Sequence, residues 1–151
     1  MTVAVTVGNY WSGIKTNYFR VKDEESFIDY LNRVAIEDGD IDVTQQLDSN
    51  GHMTYSFTTH GMILGIYEDD ETEESGLVES DEGEYAAFID GLQEIVAEDD
   101  AIIILEVGDD GHMMYAYATI VTEYDVDFLD LYDVASEKAF NMLSGFGLIR
   151  H

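Results

Sequence analysis

"SFIDYLNRVAIEDGDIDVTQQLDSNGHMTYSFTT" (residues 26–59) and "AFIDGLQEIVAEDDAIIILEVGDDGHMMYAYAT" (residues 87–119) carry one pattern twice, 60 or 61 residues apart. Phe27-Ile28-Asp29 answers Phe88-Ile89-Asp90, and Gly51-His52-Met53 answers Gly111-His112-Met113. One such match could be chance; an ordered set is an internal repeat. Each copy reads as a helix followed by a β-hairpin. Phe27, Leu31 and Val34 recur at helical period behind Asp23, a suitable N-cap. Tyr85, Phe88, Ile89, Leu92, Ile95 and Val96 form a second stripe, and Asp81 and Glu84 stand before it at capping-box spacing. Asn50-Gly51 and Asp110-Gly111 tolerate positive φ and mark hairpin turns of the tight primed kind.

The strands follow from alternation. Ile41, Val43 and Leu47 alternate with polar residues, which predicts a half-exposed strand. Ala101 to Leu105 is continuously apolar, which predicts a central strand covered on both faces. Further strands are expected at Thr2–Val7, at Thr16–Lys22 and around Leu77–Val78. A last amphipathic helix is expected over about 128–144, through Leu131, Tyr132, Ala135, Ala139, Met142 and Leu143, ending near Gly145. The expected fold is α+β: two helix-plus-hairpin repeats (about 16–66 and 77–121) building antiparallel sheet, with helices on one side and a C-terminal helix. The 151 residues form a single domain.

Composition restricts function. The chain has no Cys, which excludes disulfides, thiol catalysis and Cys-ligated zinc. No stretch approaches the roughly 18 apolar residues of a membrane span. The start, MTVAVTVGNYW, lacks the charged and apolar regions of a secretion signal, so a cytoplasmic protein is expected. Phosphate-cradling loops, nucleophile elbows and HExxH are missing, and the reading is non-enzymatic with no cofactor. His52 and His112 hold equivalent places after the two turns; a symmetric metal pair is one reading, a repeated residue at a strand start the plainer one. The acidic runs lack the glycine placement of a calcium loop. No metal is expected.

The dominant feature is charge: 33 acids against six Lys and Arg, a formal net of −27. Residues 1–22 contain no acid and carry Lys15, Arg20 and Lys22. The stretch from Tyr67 to Tyr85 holds ten carboxylates and no base. Self-repulsion on this scale opposes compaction, and direct nucleic-acid binding is excluded by like charge. Carboxylates two apart in a strand lie roughly 6.6 Å apart, and helical i,i+4 pairs, such as Asp90 and Glu94 on the second expected helix, about 5–6 Å. Duplex DNA offers a phosphate about every 3.4 Å per strand. The clusters with such spacing or density are Asp38, Asp40 and Asp42; Glu68, Asp69, Asp70, Glu71, Glu73 and Glu74; Glu79, Asp81 and Glu82; Glu98, Asp99 and Asp100; Asp109 and Asp110; and Asp125 and Asp127. They are the expected partner-binding residues.

In size, charge, lack of Cys and richness in Tyr the chain resembles the DNA mimics of phages and mobile elements, the anti-restriction proteins Ocr and ArdA and acidic anti-CRISPR proteins. The resemblance implies stoichiometric inhibition of a basic nucleic-acid-binding protein, a restriction enzyme or CRISPR effector, in the host cytoplasm. Two alternatives stay open: an immunity or antitoxin protein that neutralises a basic toxin nuclease, and an acid-rich protein adapted to high salt. The acid-free N-terminus with Trp11 reads either as buried central strands or as a homodimer surface.

Overall fold

Asp23 opens the first helix. Its Oδ2 accepts the Ser26 N–H at 2.9 Å and the Ser26 hydroxyl at 2.6 Å, satisfying a donor that the first turn leaves unpaired. The stripe behind it buries Phe27 and Leu31. The computed structural model describes residues 11–37, 39–68, 76–109 and 114–144. In chain order the elements are β1 (Trp11–Thr16), α1 (Glu24–Leu31), β2 (Val34–Ile36), β3 (Asp42–Leu47), β4 (Met53–Thr59), β5 (Ile63–Ile66), α2 (Glu84–Ile95), β6 (Ala101–Asp109), β7 (Met114–Thr122), β8 (Val126–Asp130) and α3 (Leu131–Ser144).

The fold is α+β and the described sheets are antiparallel. Six strands form one sheet in the order β3-β4-β1-β6-β7-β8, and β2 pairs with β5 in a second. The hairpins β3–β4 and β6–β7 flank β1. Strand alternation divides the sheet into two faces. On one face Ile14, Tyr55, Phe57, Ile102, Ile104 and Val121 are buried with Phe27 and Leu31 of α1 and Phe88, Ile89 and Leu92 of α2. The rings interlock: Phe19 lies 5.6 Å from Phe27 and 6.2 Å from Phe57, Phe27 lies 5.2 Å from Tyr55, and Phe57 lies 6.5 Å from Phe88.

Several expectations need correction. The strand before α1 is Trp11–Thr16, not Thr16–Lys22; beyond it Phe19 and Val21 make single bridges, to Tyr55 and Val96. Leu77 makes only one bridge, to Tyr67. The first hairpin does turn at Gly51, with φ +83°, but its loop is longer than a tight primed turn. Asp48 Oδ1 organises it by accepting the N–H groups of Asn50 (2.8 Å) and His52 (2.9 Å). Gly83 caps α2 without a side-chain bond, so Asp81 and Glu84 form no capping box. The region 126–130 is strand, and the last helix starts at Leu131. Most consequentially, β6 is central but covered on one face only: Ile103, Leu105 and Val107 are exposed. The expected strand Thr2–Val7 and the turn Asp110-Gly111 lie outside the described residues.

The two helices touch through Gly91. Tyr30 stacks on Phe88 with ring centres 6.0 Å apart and donates its hydroxyl to the Phe88 carbonyl at 2.8 Å. A Cβ on Gly91 would overlap that ring. Gly91→Ala should therefore lose about 1–3 kcal/mol in urea denaturation, although alanine is favoured in a helix by about 1 kcal/mol. In a Tyr30→Ala background the same change should become neutral or stabilising.

Candidate partner-binding surface

The stripes that bury Phe27 and Phe88 against the sheet oblige the polar positions of both helices to face out. On α1 these are Glu24, Glu25 and Asp29; on α2 they include Glu84, Asp90 and Glu94, and all six residues are exposed. The Tyr30–Phe88 contact makes the outer faces of α1 and α2 one continuous layer. Glu79, Asp81 and Glu82, exposed just ahead of α2, extend it. Between the helices lies a shallow pocket of about 280 Å³ lined by Tyr30, Arg33, Glu79, Asp90, Gly91 and Glu94, among others. Arg33 is the cation that lines this pocket; it donates to the Glu68 carbonyl at 2.9 Å and lies 5.5 Å from the Tyr30 ring centre.

This arrangement opposes helix stability. Glu24 and Glu25 suit the positive N-terminal end of α1, but Glu94 stands in the last turn of α2, where a negative charge is unfavourable. Glu25 and Asp29, and Asp90 and Glu94, are like-charged i,i+4 pairs, each costing about 0.2–0.5 kcal/mol. Neither helix has a basic residue in its last turn. Among the described residues Lys and Arg make ion pairs with three carboxylates only: Arg20 with Asp99 and Asp100, and Lys22 with Glu123 at 2.7 Å.

The sequence-predicted residues divide among several places. Asp40 and Asp42 lie at the β3 edge of the sheet and Asp125 and Asp127 at the β8 edge, all exposed. Asp40 precedes the strand that Asp42 begins, so the i,i+2 strand spacing is not realised there. Glu98, Asp99 and Asp100 occupy the link between α2 and β6, where Arg20 offsets two of them. Asp109, partly buried, ends β6. Glu68 is exposed after β5. Asp38, Asp69, Asp70, Glu71, Glu73, Glu74 and Asp110 lie outside the described residues. The set missed the helix-face acids Glu24, Glu25, Asp29 and Glu84, and left out Asp90 and Glu94 although their i,i+4 spacing was legible. Their signal was available as the polar complement of each apolar stripe, but density along the chain favours loops over helix faces.

Asp48 and Asp23 are held below the ordinary aspartate range, Asp48 chiefly by the His52 N–H and Asp23 by the Ser26 hydroxyl and N–H. His52 Nδ1 lies 3.7 Å from Asp48 Oδ2, an exposed local pair; His112 is outside the described residues. Burial and then the neighbouring Glu24 push the Tyr55 hydroxyl up to about 12. Among the described residues no group of three or more His, Cys, Asp and Glu side chains is placed to hold a metal ion, and no helix is long and apolar enough to cross a membrane. The chain matches no protein-family model, no curated protein and no solved structure.

Glu106 points to the covered face, opposite Ile14 and Tyr117, and burial raises its pKa. Its raised folded value favours the protonated form, so the associated stability is present below the ordinary glutamate range and is lost as pH rises through the raised value. Glu106→Gln should therefore raise the melting temperature at neutral pH and change it little near about pH 4. Thermal melts across that range check it; equal shifts at both ends would locate the effect elsewhere.

Proposed function

We propose that this protein is a non-enzymatic DNA mimic that occupies the DNA-binding groove of a host-defence nuclease or recognition complex, of restriction or CRISPR type. The observation that carries the reading is the acidic layer on α1 and α2. Glu24, Glu25, Asp29, Asp90 and Glu94 stand on two packed helices with no ion pair to Lys or Arg among the described residues, at a cost in helix stability. A rigid, multivalent array of carboxylates at about 5–6 Å spacing can take the place of a phosphate backbone and collect the counterion release and steering that DNA enjoys. The edge clusters at Asp40–Asp42 and Asp125–Asp127 widen the field that steers approach.

The test is competition with duplex DNA for a purified restriction complex or CRISPR effector. Inhibition is expected to fall steeply as salt rises, because exposed charges are screened within about 8–10 Å near physiological ionic strength. A single change such as Asp29→Asn should do little, since a rim charge is worth about 0.2–1 kcal/mol. Neutralising Glu24, Glu25, Asp29, Asp90 and Glu94 together should slow association most. The Asp90→Asn/Glu94→Gln pair should raise the melting temperature while weakening inhibition. Loss of all inhibition from one substitution, or tight binding to a partner that leaves DNA binding untouched, would instead favour an immunity-type protein.

A further inference from the structure

The uncovered face of the six-stranded sheet is divided in a way that points to its occupant. Because directly opposed residues of an antiparallel sheet share a face, the pairing defines a row across all six strands: Asp42, Thr58, Lys15, Leu105, Ala118, Leu129. The β3–β4 side of this face is hydroxyl and amide, with Thr44 and Gln46 exposed beside Ser56 and Thr54, which are buried. The β6–β8 side is mainly apolar, with Ile103, Leu105, Val107, Ala118, Ile120 and Leu129; its carboxylates are Asp127 on β8 and Asp109 at the end of β6. Leu105 is 48% and Val107 41% exposed. Lys15 stands at the boundary, exposed and without an ion pair among the described residues.

We infer that a second copy of this chain packs face to face on the β6–β8 half of this sheet, through a two-fold axis running along the strands between β6 and β7. Charge selects the occupant. A cationic partner is drawn to the helical layer, where carboxylates are denser than on a face whose centre carries Lys15. Two copies of a chain of net charge −27 can approach only with carboxylate-poor surfaces inward, and this face turns both acidic layers outward, as far apart as the fold allows. The axis lays β1 of one copy across β8 of the other. Lys15 then meets the row of Leu129, and Asp127 lies two residues along β8, roughly 6.6 Å away, within reach of a lysine side chain. The contact forms twice by symmetry. Four strands about 4.8 Å apart and several residues long at about 3.3 Å each offer on the order of 500 Å² per copy, about 1,000 Å² for the pair, enough for a specific interface. The β8 edge is a poorer joint, because Asp127 Oδ1 already accepts the Phe128 N–H at 2.8 Å and places a charge on that strand.

Sedimentation equilibrium of the full chain tests this. A monomer–dimer equilibrium is expected that tightens as salt rises, opposite in sign to the salt dependence of DNA competition, so the two readings fail separately. Leu105→Asp should weaken the dimer about tenfold or more with an unchanged circular dichroism spectrum; if that variant unfolds, Val107→Gln carries the same expectation. Lys15→Glu and Asp127→Lys should each weaken the dimer, and the double exchange should restore it. A wild type that stays monomeric at every concentration and salt, a Leu105→Asp variant that dimerises like wild type, or a double exchange that restores nothing overturns the arrangement.

Discussion

The interlocked rings of Phe19, Phe27, Tyr55, Phe57 and Phe88 are the contact on which the rest of this molecule depends. A chain with 33 acids repels itself, and among the described residues no network of cations offsets that repulsion. Cohesion must come from apolar burial, and aromatic pairs add about 0.5–1.5 kcal/mol each beyond their buried area. Phe27 and Phe88 are equivalent residues of the two repeats, and both enter this cluster. Each pins its helix to the sheet, and Tyr30 and Gly91 pin the helices to one another. With that anchoring fixed, the carboxylates of α1 and α2 have one place to go, which is outward.

The consequence is a molecule with two unlike sides. The helical side carries Glu24, Glu25, Asp29, Asp90 and Glu94; the open side of the sheet carries threonine and glutamine and then isoleucine, leucine and valine. Lys15 marks the transition between those two parts of the open side. Helix α3 departs from the apolar edge and exposes every described side chain, including Tyr132 at 79%. A helix of 14 residues is marginal alone in water, so its apolar residues add to the surface that association would cover. Repulsion and attraction are thus segregated, and the proposed target and the proposed second copy use different faces.

Period and charge were legible in the sequence. The stripes at Phe27–Leu31 and Phe88–Leu92 placed both helices, because burial of one helical face imposes a period that few other structures share. Alternation at Ile41, Val43 and Leu47 and the glycine at position 51 placed the first hairpin, and the net charge is the basis of the proposed class of partner. Those are local properties. What only the tertiary structure decided is which face each strand shows to what. Ala101–Leu105 reads as doubly buried because an apolar run carries no label for the layer that covers it; helices pack on one face of this sheet, and Leu105 is left in the open. Likewise the acids crowded along the chain at 67–85 drew attention from Glu25 and Asp29, which join Asp90 and Glu94 only when Tyr30 lies across Gly91. Clustering along a chain needs no fold; clustering across two helices exists only once a core holds them side by side.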